Sequence, residues 1–439
     1  MKWPHIELGR LAMLGPQYGA NASAMAPTGG RPRYVRITDI TADGRLIETG
    51  IAEADLDDYA DYVLEDGDLL FARSGATVGK TFRYRSSDGP CLFAGDLIRF
   101  RLRPDVADPD YLFYFTQSPT YQRWLQSKKR VAAQPNVNGT EYASLSIPLP
   151  ALSEQRRIVE ILDQADALRQ QRADTDAKVQ RILPALFHKM FGNPATNPNG
   201  WPVEPLEKIA RIQGGFAFKS DDFFESGVLL VRIGNLVDGT TIACDNAVFL
   251  PREFLDQYSS FRLEDNDLLL ALTGATTGKV ARFTADFPAL LNQRVGRFVP
   301  TQDDRAVLDY LHQLMRTNYA QSYIWQFARG FGQPNVAPKQ IERMPVPIPP
   351  PELVKEFSGR ARQAHDIAAQ GSKATADIQR LFDVLLYRAF TGELTAKWRE
   401  AHREQLEREQ AEQLRVLQQS SSSAPPPRRE RRTRTEVRS

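Results

Sequence analysis

The chain repeats its own turns. Asp68-Leu-Leu-Phe-Ala-Arg-Ser-Gly-Ala-Thr-Val-Gly-Lys80 returns 199 residues later as Asp267-Leu-Leu-Leu-Ala-Leu-Thr-Gly-Ala-Thr-Thr-Gly-Lys279. At the same offset Gln134-Pro-Asn-Val137 returns as Gln333-Pro-Asn-Val336, and Pro148-Leu-Pro150 as Pro347-Ile-Pro349. Solenoid units run to roughly 20–50 residues, so this period marks a duplicated domain and not an array. With 439 residues, 42% of them apolar, the chain can fill two or three separate cores.

The formal net charge is +2, which argues neither for nor against a polyanionic partner. What matters for nucleic acid is a basic face. Three clusters offer one: Arg31, Arg33 and Arg36; Arg99, Arg101 and Arg103; and Lys128-Lys129-Arg130. Each is equally readable as a solvated charged surface. The repeat places Cys91 against Leu290, and Cys244 falls in a different part of its own copy, so the two cysteines are no obvious pair and fit a reducing compartment. The start, Met1-Lys-Trp-Pro-His-Ile-Glu7, has no signal-peptide apolar run, and no stretch reaches the ~20 apolar residues of a membrane span. A cytoplasmic location without membrane contact is expected.

The punctuation divides the chain at 1–151, 152–192, 193–351, 352–392 and 393–439. The first and third segments read as mixed α and β. Tyr34-Val-Arg-Ile37, Asp68-Leu-Leu-Phe71 and Leu97–Leu102 have strand composition, and Tyr111–Leu125 reads as one helix. After Pro148-Leu-Pro150, Ser153 is a candidate N-cap with Glu154 in the first turn, opening a helix towards Phe191 that Gly192 to Gly200 ends.

That helix carries a heptad seam through Ile158, Ile161, Ala165, Leu168, Arg172, Thr175, Val179, Ile182 and Leu186. The offset reproduces it at Phe357, Arg360, Ala364, Ile367, Gly371, Ala374, Ile378, Leu381 and Leu385. A helix of about 35 residues spans ~50 Å, too long for one small domain's surface. The two are expected to pair antiparallel across a pseudo-twofold axis, with Arg172 over the missing side chain of Gly371. Beyond Thr391 a polar helical extension is expected, then a disordered arginine-rich tail after Ser420.

The Gly-Lys loops do not fit a nucleotide site. A phosphate-cradling loop has four residues between Gly and Gly-Lys, and this one has three. The second copy ends Gly278-Lys279-Val280 without a magnesium-holding hydroxyl, and the residues after each Lys read as a strand. A hairpin is expected, either a plain structural turn or one presenting Lys80 and Lys279 to DNA phosphate. Arg73, Ser74 and Thr77, with Thr273, Thr276 and Thr277 in the second copy, are candidate contacts on the same loops. Gln134, Asn136, Gln333 and Asn335 carry amides that suit adenine but equally suit a bend beside proline. Arg36 and Arg232 occupy matching Val-Arg-Ile positions, as phosphate contacts or as internal ion pairs. The five histidines are scattered, no metal-ligand spacing appears, and no catalytic constellation is present.

The layout resembles the specificity subunit of type I restriction-modification systems. The resemblance rests on the duplicated Asp-Leu-Leu…Gly-Ala-Thr-x-Gly-Lys, on Gln-Pro-Asn-Val, on Ser153-Glu-Gln-Arg-Arg-Ile-Val-Glu-Ile-Leu162, and on Leu386-Tyr-Arg-Ala-Phe-Thr-Gly-Glu-Leu394. It covers residues 1 to about 400. It implies an α+β fold with two tandem mixed α/β target-recognition domains, separated by two long helices packed as an antiparallel coiled coil. It further implies double-stranded DNA as ligand, two methyltransferase subunits docked on the helices, and restriction subunits completing the complex. S-adenosylmethionine, magnesium and ATP would then belong to the partners, and this chain would bind no cofactor. The second helix departs from the pattern by opening Pro350-Pro-Glu-Leu-Val-Lys-Glu-Phe357. The alternative is an interaction scaffold of a related defence complex, without sequence-specific DNA contact.

Overall fold

A computed structural model describes residues 3–129, 136–236, 242–244, 246–284, 287–328 and 333–422. The chain divides into two compact units, Met1–Gln171 with Thr375–Ser439, and Arg172–Ala374. Each unit holds one copy of the repeat.

In the first unit an antiparallel sheet runs in the order Ala12–Tyr18, Leu97–Leu102, Leu69–Ala72, Thr81–Arg83. A second sheet contains Arg33–Val35 paired in parallel with Cys91–Phe93. The strand Leu69–Ala72 shows why the repeated apolar run does not alternate. Successive side chains on a strand point to opposite faces, and here each face meets a different core. Leu69 and Phe71 enter the core formed with the helices, whereas Leu70 and Ala72 enter the core beneath the second sheet. The second unit repeats this division, with Leu268 and Leu270 on one side and Leu269 and Ala271 on the other.

Hydrogen-bond register refines the repeat. Arg73 N donates to Asp96 O at 3.0 Å, and Leu272 N donates to Arg294 O at 3.0 Å, so Asp96 and Arg294 are structural counterparts. Val35 pairs with Phe93 and Val231 with Leu291, which sets Cys91 opposite Ala289 and not Leu290. The constant offset of the loop motifs therefore shortens in the segments between them.

The expected single helix over Tyr111–Leu125 is two, Pro109–Phe115 and Pro119–Lys129. Pro119 lacks an N–H and disfavours helical geometry in the preceding residue. Ser118 Oγ accepts from Tyr121 N at 3.3 Å and restarts the turn. The second unit divides the same way, at Ala306–Met315 and Asn318–Ala328.

The central helix, Leu152–Phe191, and the distal helix, Pro351–Thr391, each begin in one unit and end in the other. Ile158, Leu162 and Ala165 share the first unit's core with Phe382, Leu386 and Ala389. Phe187 and Phe191 meet Phe357 in the second unit at ring separations of 6.0 and 5.1 Å. Start meets end in both units, so the helices pair antiparallel.

Alternate positions of the expected seam shift by one residue. Leu168, Ile182, Ile367 and Leu381 are 49%, 41%, 50% and 48% exposed, and Ile161 is half-buried. The inward places go to Leu162, Arg169, Asp176 and Leu183, and to Ala361, Ala368 and Phe382. Val179, Leu186, Ile378 and Leu385 are half-buried. Apolarity does not settle the register, because Ile161 and Leu162, Ile182 and Leu183, and Leu381 and Phe382 are apolar neighbours, and because the seam also uses polar residues. Arg169 lays its guanidinium on the Phe382 ring at 4.1 Å, covering apolar surface with a charged side chain. Arg172 does lie over Gly371, with Nη2 2.7 Å from where a Cβ would stand.

The helix starts at Leu152, so Ser153 is not its cap. Glu154 instead sits buried as an acceptor for Trp3 Nε1 at 3.1 Å, Thr395 Oγ1 at 2.6 Å and Arg399 Nε at 2.7 Å. Gln155 accepts from Asp108 N and donates to the carbonyls of Val106 and Pro150. The C-terminal helix Arg403–Ser422 docks on the same unit, burying Leu406 and Leu417, with Gln413 Nε2 donating to Val106 O at 2.7 Å. The tail beyond Ser422 lies outside the described residues.

Candidate nucleic-acid interface

The two repeated motifs of each unit form one composite turn. In the first unit Leu69–Ala72 and Thr81–Arg83 make the expected hairpin, with a 3-10 turn at Gly75–Thr77 between them. Ser74 bridges Asn136, and Val137 N donates to Arg73 O at 2.9 Å. In the second, Thr273 bridges Asn335, Val336 N donates to Leu272 O at 2.9 Å, and Gly274 N donates to Pro334 O at 2.8 Å. Val137 and Val336 are buried at the base of these turns. Because Gly-Ala-Thr and Pro-Asn-Val supply each other's backbone partners, neither motif can drift alone.

The Lys-bearing arm of the loop enters a strand, so no helix N-terminus faces a bound phosphate. Gly79 and Gly278 hold φ of +91° and +87°, the left-handed region glycine favours. Gly79 O accepts from Tyr121 Oη and Gly278 O accepts from Gln321 Nε2, both at 2.9 Å, seating each loop on the helix behind it.

Most of the expected contact residues are engaged internally. Lys80 Nζ donates to Ile40 O at 2.9 Å. Arg36 grips Asp39 through Nε at 2.9 Å and Nη2 at 2.7 Å, the ion-pair alternative for that position. Arg73 stacks on Tyr18 at 4.8 Å, Ser74 Oγ donates to Asp96 at 3.0 Å, and Thr77 Oγ1 donates to Ser74 O. Lys128 lies 3.8 Å from Glu141, and Lys129 closes its helix. The Lys129 side chain, Arg130 and Gln134 lie outside the described residues. In the second unit Thr277 Oγ1 donates to Gly274 O at 2.7 Å, while the buried hydroxyls of Thr273 and Thr276 have no partner among the described residues. Lys279 is half-buried, Gln333 lies over Gly274, and Asn136, Gln333 and Asn335 are exposed.

The cluster of Arg99, Arg101 and Arg103 is largely structural. Asp68, fully buried, accepts from Arg101 Nε at 2.6 Å and from Arg99 Nη1 at 3.4 Å. Burial pushes the Arg99 guanidinium below its ordinary pKa, whereas the hydrogen bond to Asp68 raises that of Arg101. Asp267 repeats the node with Arg297 at 3.2 Å and Arg305 at 3.0 Å. This explains why the motif begins with Asp: the carboxylate neutralises Arg99 and Arg101, or Arg297, on an adjacent strand, and in the second unit also Arg305 at the start of the following helix.

A second buried network lies in the second unit. Asp309 accepts from Arg282 Nη2 and from Ser358 Oγ, both at 2.6 Å, beside His312 and His365. Burial, then the charges of Arg282 and Arg316, hold the His312 pKa well below its usual value. His312 is therefore neutral in the fold, and the unfolded chain binds the extra proton. Stability from this group is present above pH about 6.5 and lost as pH falls below it, by up to about 1.4 kcal/mol per pH unit. The corresponding residue of the first unit is Phe113. His312→Phe is expected to flatten the acid limb of a pH-resolved unfolding curve, and an unchanged slope would count against the assignment.

One cavity of the second unit, about 530 Å³, is lined by the expected Arg232 and by Asn246, Asn292, Gln293 and Arg294, which sequence reasoning missed. Arg232 lies in the repeated Val-Arg-Ile, but the other four sit on turns without a repeated motif, so only their chemistry could have flagged them. Among the described residues, no group of His, Cys, Asp and Glu could hold a metal ion, and no helix is long and apolar enough to cross a membrane.

Comparison with known proteins places this geometry. The model of the type I restriction modification DNA specificity domain matches twice, at residues 27–176 and 198–356. The type I restriction enzyme MjaVIII specificity subunit of Methanocaldococcus jannaschii is 25% identical over 352 residues, covering 76% of this chain and 81% of the relative. The EcoBI specificity subunit of Escherichia coli is 22% identical over 317 residues, 65% of this chain and 66% of that one. The crystal structure of the type I restriction-modification S subunit from M. genitalium shares the fold, with a TM-score of 0.55 at 14% identity over 89% of this chain and 96% of that one. With the domain present twice across more than half of its length, one copy for each repeat of the composite turn, the chain belongs to the type I restriction modification DNA specificity family.

Proposed function

We propose that this chain is the DNA-binding specificity subunit of a type I restriction-modification complex, with each unit reading one half of an interrupted target. The duplicated specificity domain, joined through two antiparallel helices, carries this reading. Basic side chains settle on phosphates, and polar side chains of non-repeated segments read base edges in the major groove. The chain acts as reader and ruler, while methylation and cleavage, with S-adenosylmethionine, ATP and magnesium, belong to partner subunits. The apolar residues left outside the helix seam, among them Leu168, Ile182, Ile367, Leu381 and Tyr387, suit the docking of two methyltransferase subunits. Restriction and translocation subunits join that assembly.

The direct test is to map methylated positions in DNA exposed to this chain and its methyltransferase partner. A bipartite sequence with two different halves and a fixed gap is expected. Salt-sensitive binding that is equal on all sequences would favour a scaffold instead. Inserting one heptad into both long helices lengthens each by ~10.5 Å. The gap is then expected to grow by about three base pairs, at ~3.4 Å each, with both half-sites unchanged. An unaltered gap would sink the ruler.

A further inference from the structure

The two units treat charge oppositely at one matched place. Val35-Arg36-Ile37 and Val231-Arg232-Ile233 each lead into a 3-10 turn, Ile37–Asp39 and Ile233–Asn235. In the first unit the arginine is neutralised by the Asp39 carboxylate. In the second the same position is Asn235, whose amide is spent on Arg232 N at 2.9 Å and Ala243 O at 2.8 Å. Arg232 has no carboxylate partner among the described residues: there Nη2 meets only the Asn246 carbonyl, at 3.0 Å, and Nε is buried without a partner.

The facing turn changes in the same sense. By backbone register Asp96 corresponds to Arg294, Gly95 to Gln293 and Ala94 to Asn292. Asp96 holds Ser74 Oγ at 3.0 Å, while the corresponding Thr273 hydroxyl is left unpartnered among the described residues. Arg36, Asp39 and Asp96 carry a net charge of −1; Arg232, Asn235 and Arg294 carry +2. Both arginines line the cavity, and no carboxylate stands among its described lining residues. A concave site with two guanidinium groups and no carboxylate among its described lining residues favours an anion. The adjacent Asn292 and Gln293 supply amides of the kind that bind adenine edges.

We propose that this cavity is a phosphate anchor for DNA, present in the second unit and cancelled in the first, with Arg232 and Arg294 on a backbone phosphate and Gln293 beside the flanking base. The proposal rests on the DNA-reading function above and adds an asymmetry to it: the second half-site is held by charge where the first is not.

The test uses the full chain with its methyltransferase partner and measures duplex affinity across a salt series. Arg294 is exposed, so Arg294→Asp, which restores the first unit's residue, leaves the fold intact, checked by its melting temperature. Affinity is expected to fall by at least tenfold, and the slope of log K against log salt by about 1 for the lost phosphate contact. Arg294→Lys is expected to retain the slope. Gln293→Ala is expected to relax one position of the second half-site and none of the first. Inorganic phosphate at millimolar concentration is expected not to compete; competition at that level would reassign the cavity to free phosphate and overturn a DNA role. A folded Arg294→Asp variant with wild-type affinity and slope overturns the anchor. Absence of any sequence preference in the wild-type complex would instead defeat the reading on which it rests, while the salt slopes still decide the anchor.

Discussion

Asp68→Ala is expected to destabilise the first unit by about 3–5 kcal/mol, because it strands two arginines that were brought out of water to meet it. Arg99 is 4% exposed and Arg101 reaches Asp68 through two hydrogen bonds. Neither has another carboxylate to turn to inside the unit's core; Glu65, which also contacts Arg101, stands largely in solvent. The loss is read in denaturant unfolding, with hydrogen exchange showing that it concentrates in the strands Leu69–Ala72 and Leu97–Leu102. A change under about 1 kcal/mol would mean that the arginines reach water, and that the node is not what fixes the leading Asp of the repeat. Asp68→Ala with Arg99→Met and Arg101→Met should recover part of the loss, since removing all the charges together leaves none unpaired.

Two glycines in one loop are expected to behave differently. Gly75 and Gly79 both hold positive φ, at +69° and +91°. A Cβ on Gly75 meets nothing within 4 Å, whereas one on Gly79 would stand 2.0 Å from Leu125 Cδ2. Gly75→Ala should therefore cost only the left-handed backbone term, roughly 1–2 kcal/mol. Gly79→Ala adds overpacking of a closed core, roughly 1–3 kcal/mol more. Thermal unfolding of the two variants gives the difference, and Leu125→Ala introduced with Gly79→Ala should remove most of the added part. Equal losses at both positions would show that the helix behind the loop yields.

The duplication, the hairpin at each Gly-Lys loop and the long helices were legible because they rest on local signals: glycine spacing, proline stops and apolar period. The helix seam was legible only at every other position. Choosing Leu168 over Arg169 follows apolarity, but Arg169 takes its inward place from the Phe382 ring, which lies 213 positions away in sequence, and between Ile182 and Leu183 apolarity does not choose. The role of Glu154 was hidden for the same reason, since Trp3, Thr395 and Arg399 come from both ends of the chain. The charge reversal at Asp96 and Arg294 was invisible because a constant offset sets Arg294 against Gly95; only the hydrogen-bond register aligns them.

The C-terminal helix has a consequence for the order of events during synthesis. Phe382, Leu386 and Leu417 belong to the core that also holds Leu69, Phe71 and Ile158. The unit that leaves the ribosome first therefore lacks part of its interior until Leu417 is made, whereas Arg172–Ala374 is contiguous and can close as soon as it emerges. Domains ordinarily fold in the order they are made; here the N-terminal one is completed last. A ribosome that stops short of Leu417 would release a chain whose damage lies in the unit it made first.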